Sequence, residues 1–398
     1  MKHNIVSLMI SADWHLGATD PNRFRLELLR TVEAKLAQLK SLDLFVVAGD
    51  TFDMKEYLSS DTVKIFFIIM KDLLTATEKF GTQFRFIEGT RTHDAKQLET
   101  LDIIFTNLMD SDRVKFIHEV DVEEFMGTRI LYLPEEYVAD SAIYYKPYLS
   151  DHYDFIFGHG PTDLMWYMRE EKAIMNTQSK ATVWKADECC KLANYSYFGH
   201  FHYNIAAGDN GRFKSIGPVS RWEFDKTGKC GLYYVEYDTS TNEAFEEYLE
   251  NEYAPNLPTV AFAIKKDYEL GDLNKEIRRK LDKVVDNADK TRLIVTIDST
   301  LSSFIVMRDF VLSLFGNIPN VKLMLKITGA DEVTEEVEDT IETQEHAMEE
   351  RPYLYDKSMR DEARIAAFIK KKAGANISLE NILGVIKPKD NRITTREE

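Results

Sequence analysis

Five of the nine histidines stand at the ends of apolar, β-branched runs, each with a glycine close by. "SADWHLG" carries Asp13 and His15, "AGDTFD" carries Asp50 and Asp53, and "FIEGTRTHDA" carries Thr92 and His93. "FGHG" then supplies His159, and "FGHFHYN" supplies His200 and His202. The i, i+2 spacing of Asp13 and His15 points both side chains to one side of an extended chain. Gly49 lets the backbone turn and delivers Asp50 to the carboxyl edge of a sheet, where open α/β folds bind ligands. Singly, an aspartate after a strand is a turn or cap residue, and a strand-end histidine is a structural one. Five such segments in order point to a shared set of metal ligands. Mixed carboxylate and imidazole donors suit Mn²⁺, Fe²⁺ or Zn²⁺ better than Mg²⁺ or Ca²⁺, which prefer oxygen shells.

Such residues need strands to present them. The first half alternates "IVSLMISA", "LFVVAGD" and "FRFIEG" with helical patterns through "RFRLELLRTVEAKLAQLK" and "TVKIFFIIMKDLLTATEKF". That alternation predicts an α/β fold of βαβ units in a largely parallel sheet. "RILYLP", "DFIFGHG", "YSYFGH", "FKSIGP" and "GLYYVEYD" continue as strands, giving a first domain over residues 1–252. After the proline-bearing break "NEYAPNLPT", residues 258–328 read as a small α/β domain. Residues 329–350 read as an acidic linker, and 351–398 as a tail of two amphipathic helices too short to bury a core alone.

The 398 residues are 44% hydrophobic and 12% aromatic, enough for two or three packed units. No apolar run approaches the roughly 18 residues of a membrane span, and "MKHNIVSLMI" lacks a cleavage site, so a cytoplasmic protein is expected. Three cysteines cannot build a disulfide framework or a four-thiolate zinc site and are expected to be buried thiols. The net charge is −17, with ten acidic and no Lys or Arg residues between Asp331 and Glu350. Residues 1–330 hold 39 basic against 50 acidic side chains, which is no basic footprint for a nucleic-acid coat.

In order, Asp-x-His, Gly-Asp-x-x-Asp, a Gly…His-Asp loop, Gly-His and Gly-His-x-His resemble the calcineurin-like metallophosphoesterase superfamily. "ADWHLG" and "GDTFD" are similar to its SbcD-type DNA-repair exonuclease branch and phage recombination nucleases, and "SIGPVSRWEF" resembles the segment that follows the branch's last ligand. The resemblance implies a metallophosphoesterase β-sandwich flanked by helices (α-β-β-α), then a capping domain and a helical tail. It implies two divalent cations, Mn²⁺ above others: one held by Asp13, His15 and His202, the other by His159 and His200, with Asp50 bridging. His93 would protonate the leaving oxygen, with Asp53 fixing its tautomer. The family's asparagine ligand has no counterpart; Thr92, directly before His93, would stand there with a hydroxyl, which implies a raised metal requirement. Arg91 could contact a substrate phosphate or face solvent.

The function implied is a metal-dependent DNA nuclease, exonuclease or endonuclease, acting in repair and recombination. Its tail would dock on an SbcC-like coiled-coil ATPase, and the apolar surplus of "TVKIFFIIMKDLLTATEKF" suggests a homodimer. The acidic balance implies weak DNA binding without that partner. A phosphomonoesterase or cyclic-nucleotide phosphodiesterase on the same scaffold, and a non-catalytic subunit, are the alternatives.

Overall fold

The computed structural model describes residues 4–94, 96–108, 112–164, 181–224, 226, 228–285, 288–316, 318–329 and 333–336. The expected helical tail, 351–398, and all of the acidic linker except Gly329 and Val333–Glu336 lie outside them.

The fold is mixed α/β with parallel-rich sheets. In chain order the first sheet takes β1 (Ile5–Ser11), β2 (Leu44–Ala48), β3 (Gln83–Ile87) and β4 (Val114–Ile117). These run parallel and side by side, as continuous apolar runs joined by helices demand. The crossovers are α1 (Pro21–Leu36), α2 (Asp61–Ala76) and α3 (Gln97–Leu108). Asp20 caps α1 ahead of Pro21, and Ser60 caps α2 by accepting the Val63 N–H.

The second sheet begins with β5 (Asp121–Phe125) and β6 (Thr128–Leu133). After the short α4 (Ser141–Tyr145) come β7 (Tyr153–Gly158), α5 (Ala186–Leu192), β8 (Ala193–Phe198), β9 (Ile205–Ala207) and β10 (Phe213–Ser215). Its order is β5-β6-β7-β8-β10-β9, with β6, β7, β8 and β10 parallel and an antiparallel strand at each edge. The chain then returns to the first sheet as β11 (Gly231–Asp238), antiparallel to β1, and β12 (Glu243–Glu250) at its edge.

The two sheets pack face to face. Leu8, Ile10, Leu44 and Val46 from the first share one buried cluster with Ile130, Tyr132, Phe155, Phe157 and Tyr197 from the second. The outer face of the first sheet buries Phe45, Val47, Phe84 and Phe86 against Phe24, Leu28 and Val32 of α1 and Phe66, Ile69 and Met70 of α2. The outer face of the second buries Leu131, Ile156 and Phe198 against Tyr145, Trp184 and Cys189. Each sheet is covered on both faces, and the layers run helix, sheet, sheet, helix. The surplus on α2 is mostly consumed internally: Val63, Ile65, Phe66, Ile69, Met70 and Leu73 are buried, and Ile68 is left exposed.

Four strands differ from the sequence expectation. β4 and β9 are too short to show a period, while β5 ("DVEEF") and β12 ("EAFEEYLE") are edge strands whose glutamates mask the apolar alternation.

The chain divides into two compact units. One is Met1–Val260 with Arg279–Arg292; the other is Ala261–Arg278 with the described residues from Leu293 onward. The remaining elements are β13 (Thr259–Ile264), α6 (Leu270–Val285), β14 (Thr291–Asp298), α7 (Phe304–Phe315), β15 (Val321–Thr328) and β16 (Val333–Glu336). Strict alternation of burial along β14 gives that sheet one covered face. Met307, Val311 and Phe315, four residues apart on α7, are buried likewise. β16 pairs antiparallel with β15, so the stretch expected to be linker from residue 329 instead adds a strand to this sheet.

Among the described residues no helix is long and apolar enough to cross a membrane. The three cysteines are free; Cys189 and Cys230 are buried and Cys190 half-buried.

Candidate metal centre

The carboxyl ends of β1, β2 and β3 meet those of β6, β7 and β8. Backbone pairing persists beyond β1 and β2, because Asp13 N–H donates to the Gly49 carbonyl (3.1 Å) and His15 N–H to that of Asp50 (3.0 Å). The β7–β8 pairing persists likewise, Gly199 N–H donating to the Gly158 carbonyl at 3.0 Å, and the two sheets are stitched together by the His200 N–H, which donates to Asp13 Oδ1 at 2.8 Å.

Asp13 and His15 do not share a side through extended geometry, as their spacing suggested. Both have left the strand and hold φ of +49° and +40°, while Asp50 and His200 stand at +48° and +82°. Non-glycine residues rarely occupy this region, and strain of order 1–3 kcal/mol each persists where neighbours over-determine it, commonly at functional sites. Gly49 has to be glycine: φ is +81°, and a Cβ would lie 2.0 Å from His159 Nδ1. At Gly89 a Cβ would lie 2.1 Å from the Asp50 nitrogen.

Two groups of ligand atoms result, sharing Asp50. Asp13, His15, Asp50 and His202 form one, and Asp50, His159 and His200 the other. Asp50 presents Oδ2 3.6 Å from His15 Nε2 and Oδ1 3.2 Å from His159 Nε2, so each oxygen serves a different group. His15 Nε2 and His202 Nε2 approach to 3.2 Å. Asp13 Oδ2 is fully buried and, among the described residues, has no hydrogen-bond partner. A buried carboxylate oxygen without a donor is costly unless a cation sits beside it. The donor set and this orphaned oxygen fit a pair of divalent cations.

The imidazoles are oriented from behind. His159 Nδ1 donates to the Ala48 carbonyl at 2.8 Å, His15 Nδ1 lies 3.2 Å from Asp53 Oδ1, and His202 Nδ1 lies 3.1 Å from Glu223 Oε1. Each leaves Nε2 free to ligate, as metal-binding histidines are usually arranged. Trp222 lies against His15 and His202, with ring centroids 4.2 and 4.9 Å away. Without cations the charges compensate one another. Burial pulls the His159 imidazole down, but Asp50, with Asp13 and Glu135 behind it, outweighs this and carries the pKa up to about 10. Burial pushes Asp50 up, and the His159, His15 and His93 rings hold it well below the usual carboxylate range.

Two sequence expectations change. Thr92, expected at the second cation, is exposed. Thr90 enters instead: its N–H donates to Asp50 Oδ1 (2.6 Å), and its Oγ1 lies 3.3 Å from both His159 Nε2 and His200 Nδ1. The two extra residues of the loop are taken up after Thr90, in a turn where the His93 and Asp94 N–H groups donate back to the Thr90 carbonyl. Buried Asp94 locks that turn by accepting the Phe52 and Gly89 N–H groups, and its pKa is pushed well up by burial and by Asp50 and Glu88. Second, His93 Nδ1 donates to the main-chain carbonyl of Asp53, whose carboxylate is engaged with His15 instead. His15, Asp53 and His93 form a further group, with one ligand atom of each within 4.8 Å of the others. Arg91, for which phosphate contact and solvent were both open, is exposed and stacks over the Tyr137 ring at 4.8 Å.

Glu135, Glu223 and Trp222 belong to the site without having been expected there. Since Thr92 is exposed, Thr92→Asn should leave the affinity for Mn²⁺ within about twofold of native, surface changes away from special features being small. A metal titration of both proteins checks this; a severalfold shift would place Thr92 at the second cation after all.

No protein-family model matches the chain, nor does any curated protein. Among solved structures it is similar, at a TM-score of 0.28 and 12% identity over 96% of this chain and 72% of that one, to glutamine-dependent NAD+ synthetase from Acinetobacter baumannii in complex with ADP. An overlap this slight carries no argument about fold or activity.

Proposed function

We propose that the chain is a two-metal phosphodiesterase of the metallophosphoesterase type, acting on DNA in repair and recombination. The observation that carries this reading is Asp50, whose two oxygens face two separate imidazole groups while Asp13 Oδ2 lies buried without a donor among the described residues. Such a site suits a substrate whose charge develops on non-bridging oxygens. Bound there, two cations would polarise the phosphate and lower the pKa of the attacking water.

The chain's own groups do the rest. Asp53 and Glu223 hold the His15 and His202 rings with Nε2 inward. Trp222 walls off one side of both rings and limits water. His93 enters neither of the two Asp50-sharing groups; with Nδ1 donated to the Asp53 carbonyl, its Nε2 can pass a proton to the departing oxygen.

DNA as substrate rests on the "ADWHLG" and "GDTFD" stretches and not on charge. The acidic balance leaves the basic groove to the proposed SbcC-like ATPase, reached through residues 351–398. For a homodimer, exposed Tyr57, Leu58 and Ile68 at and before α2 offer apolar surface. Incubating pure protein and Mn²⁺ with end-labelled duplex and, separately, p-nitrophenyl phosphate tests the reading. Shortening or nicking of the duplex with little monoester hydrolysis is expected. The reverse preference would point to a phosphomonoesterase.

A further inference from the structure

Thr90 stands where the resemblance asks for a neutral amide, and a lone hydroxyl is a weak donor to a divalent ion. Directly behind it is Glu135, from the "PEEY" stretch after β6. Its side chain is 3% exposed, with Oε2 3.2 Å from His200 Nδ1, 3.9 Å from His159 Nε2 and 2.9 Å from the Thr90 hydroxyl. The Tyr137 hydroxyl donates to Oε1 at 2.6 Å, which fixes the carboxylate with Oε2 toward the imidazoles. Its backbone is tied as well, since Glu135 N–H donates to the Glu88 carbonyl.

We propose that Glu135 is a direct anionic ligand of the second cation, taking the place of the missing amide. This rests on the two-metal reading above. The reason is charge. Among the described residues the ion-pair partners of Glu135 are histidines alone. An imidazole nitrogen that ligates a cation carries no proton, so once His159 and His200 hold an ion neither can compensate a carboxylate. A buried charge must be paired or coordinate a metal, and among the described residues no ion pair besides those with the two histidines is left to Oε2, so the cation would serve. Thr90 then donates its hydroxyl proton to Glu135 Oε2 and its N–H to Asp50 Oδ1 and orients both oxygens. The second site becomes His159, His200, Asp50 and Glu135, with three carboxylates across the pair where the motif alone provides two. The raised metal requirement inferred from the threonine is thereby reversed: the second cation should bind no more weakly than the first.

The test is a Mn²⁺ titration of chelator-stripped protein, followed by the electron paramagnetic resonance of free Mn²⁺. Native protein should bind two ions. Glu135→Gln should bind one as before and the other at least about tenfold more weakly, loss of a ligand costing no less than loss of an outer-shell partner. Glu135→Asp, which keeps the charge but falls short by one methylene, should weaken the same site and guards against a folding failure in the first variant. Two ions at native affinity in both variants, or in Glu135→Asp alone should Glu135→Gln not fold, would overturn Glu135 as a ligand and leave the two-metal reading standing. Fewer than two ions on native protein would remove that reading and this one together.

Discussion

Asp50→Asn should bind at most one Mn²⁺ and lose at least about 10³-fold in the rate of phosphodiester cleavage. Oδ1 already accepts the Thr90 N–H at 2.6 Å while facing His159, and Oδ2 faces His15. An amide has one acceptor oxygen. If its NH₂ takes the Oδ1 position, it meets the Thr90 N–H donor to donor and presents no lone pair to the second cation. If it takes the Oδ2 position, the first cation loses its ligand. Either way the shared contact is gone. Metal charge stabilisation in the transition state is worth several kcal/mol, at about 1.4 kcal/mol per factor of ten. Melting both proteins in chelator controls for the fold, and metal content with single-turnover rates provides the readout. Two ions and near-native rates would show that Asp50 does not bridge.

His93→Ala should separate chemistry from metal binding. The ring lies beside His15, with centroids 4.5 Å apart, and its Nδ1 is committed to the Asp53 carbonyl. Its loss should leave both cations in place while kcat on DNA falls about 10²–10⁴-fold, the usual range for a positioned proton donor. The diagnostic is the leaving group. A DNA alkoxide needs a proton as it departs, whereas p-nitrophenolate does not, so cleavage of bis(p-nitrophenyl) phosphate should fall far less. An equal drop on both substrates would contradict the role given to His93.

Much of the site was legible because its ligands are short motifs at strand ends. A strand fixes where its last residue lies, so Asp13, His15, Asp50, His159, His200 and His202 converge as their order suggests. Inside the loop, sequence offered no register. Whether Thr90 or Thr92 reaches the group around Asp50, His159 and His200 depends on where two extra residues are absorbed, and that is decided by the turn that Asp94 locks. Glu135 was hidden because a glutamate after a strand has no spacing partner; only the strand order β6-β7-β8 within the second sheet brings it to His200. Glu223 and Trp222 sit twenty or so residues beyond the last ligand and act from behind the rings. The alternation of strands and helices gave the parallel core of the first sheet readily, since fully buried strands are continuous apolar runs. The glutamate-rich edge strands β5 and β12 escaped, because half-buried edges carry a weak pattern.

The account stands or falls on where cations bind. An anomalous-difference map from crystals soaked in Mn²⁺ should hold two peaks about 3.5–4 Å apart, one among Asp13, His15 and His202 and one among His159 and His200, with an oxygen of Asp50 toward each. One peak, or none, with these side chains pointing apart would contradict it.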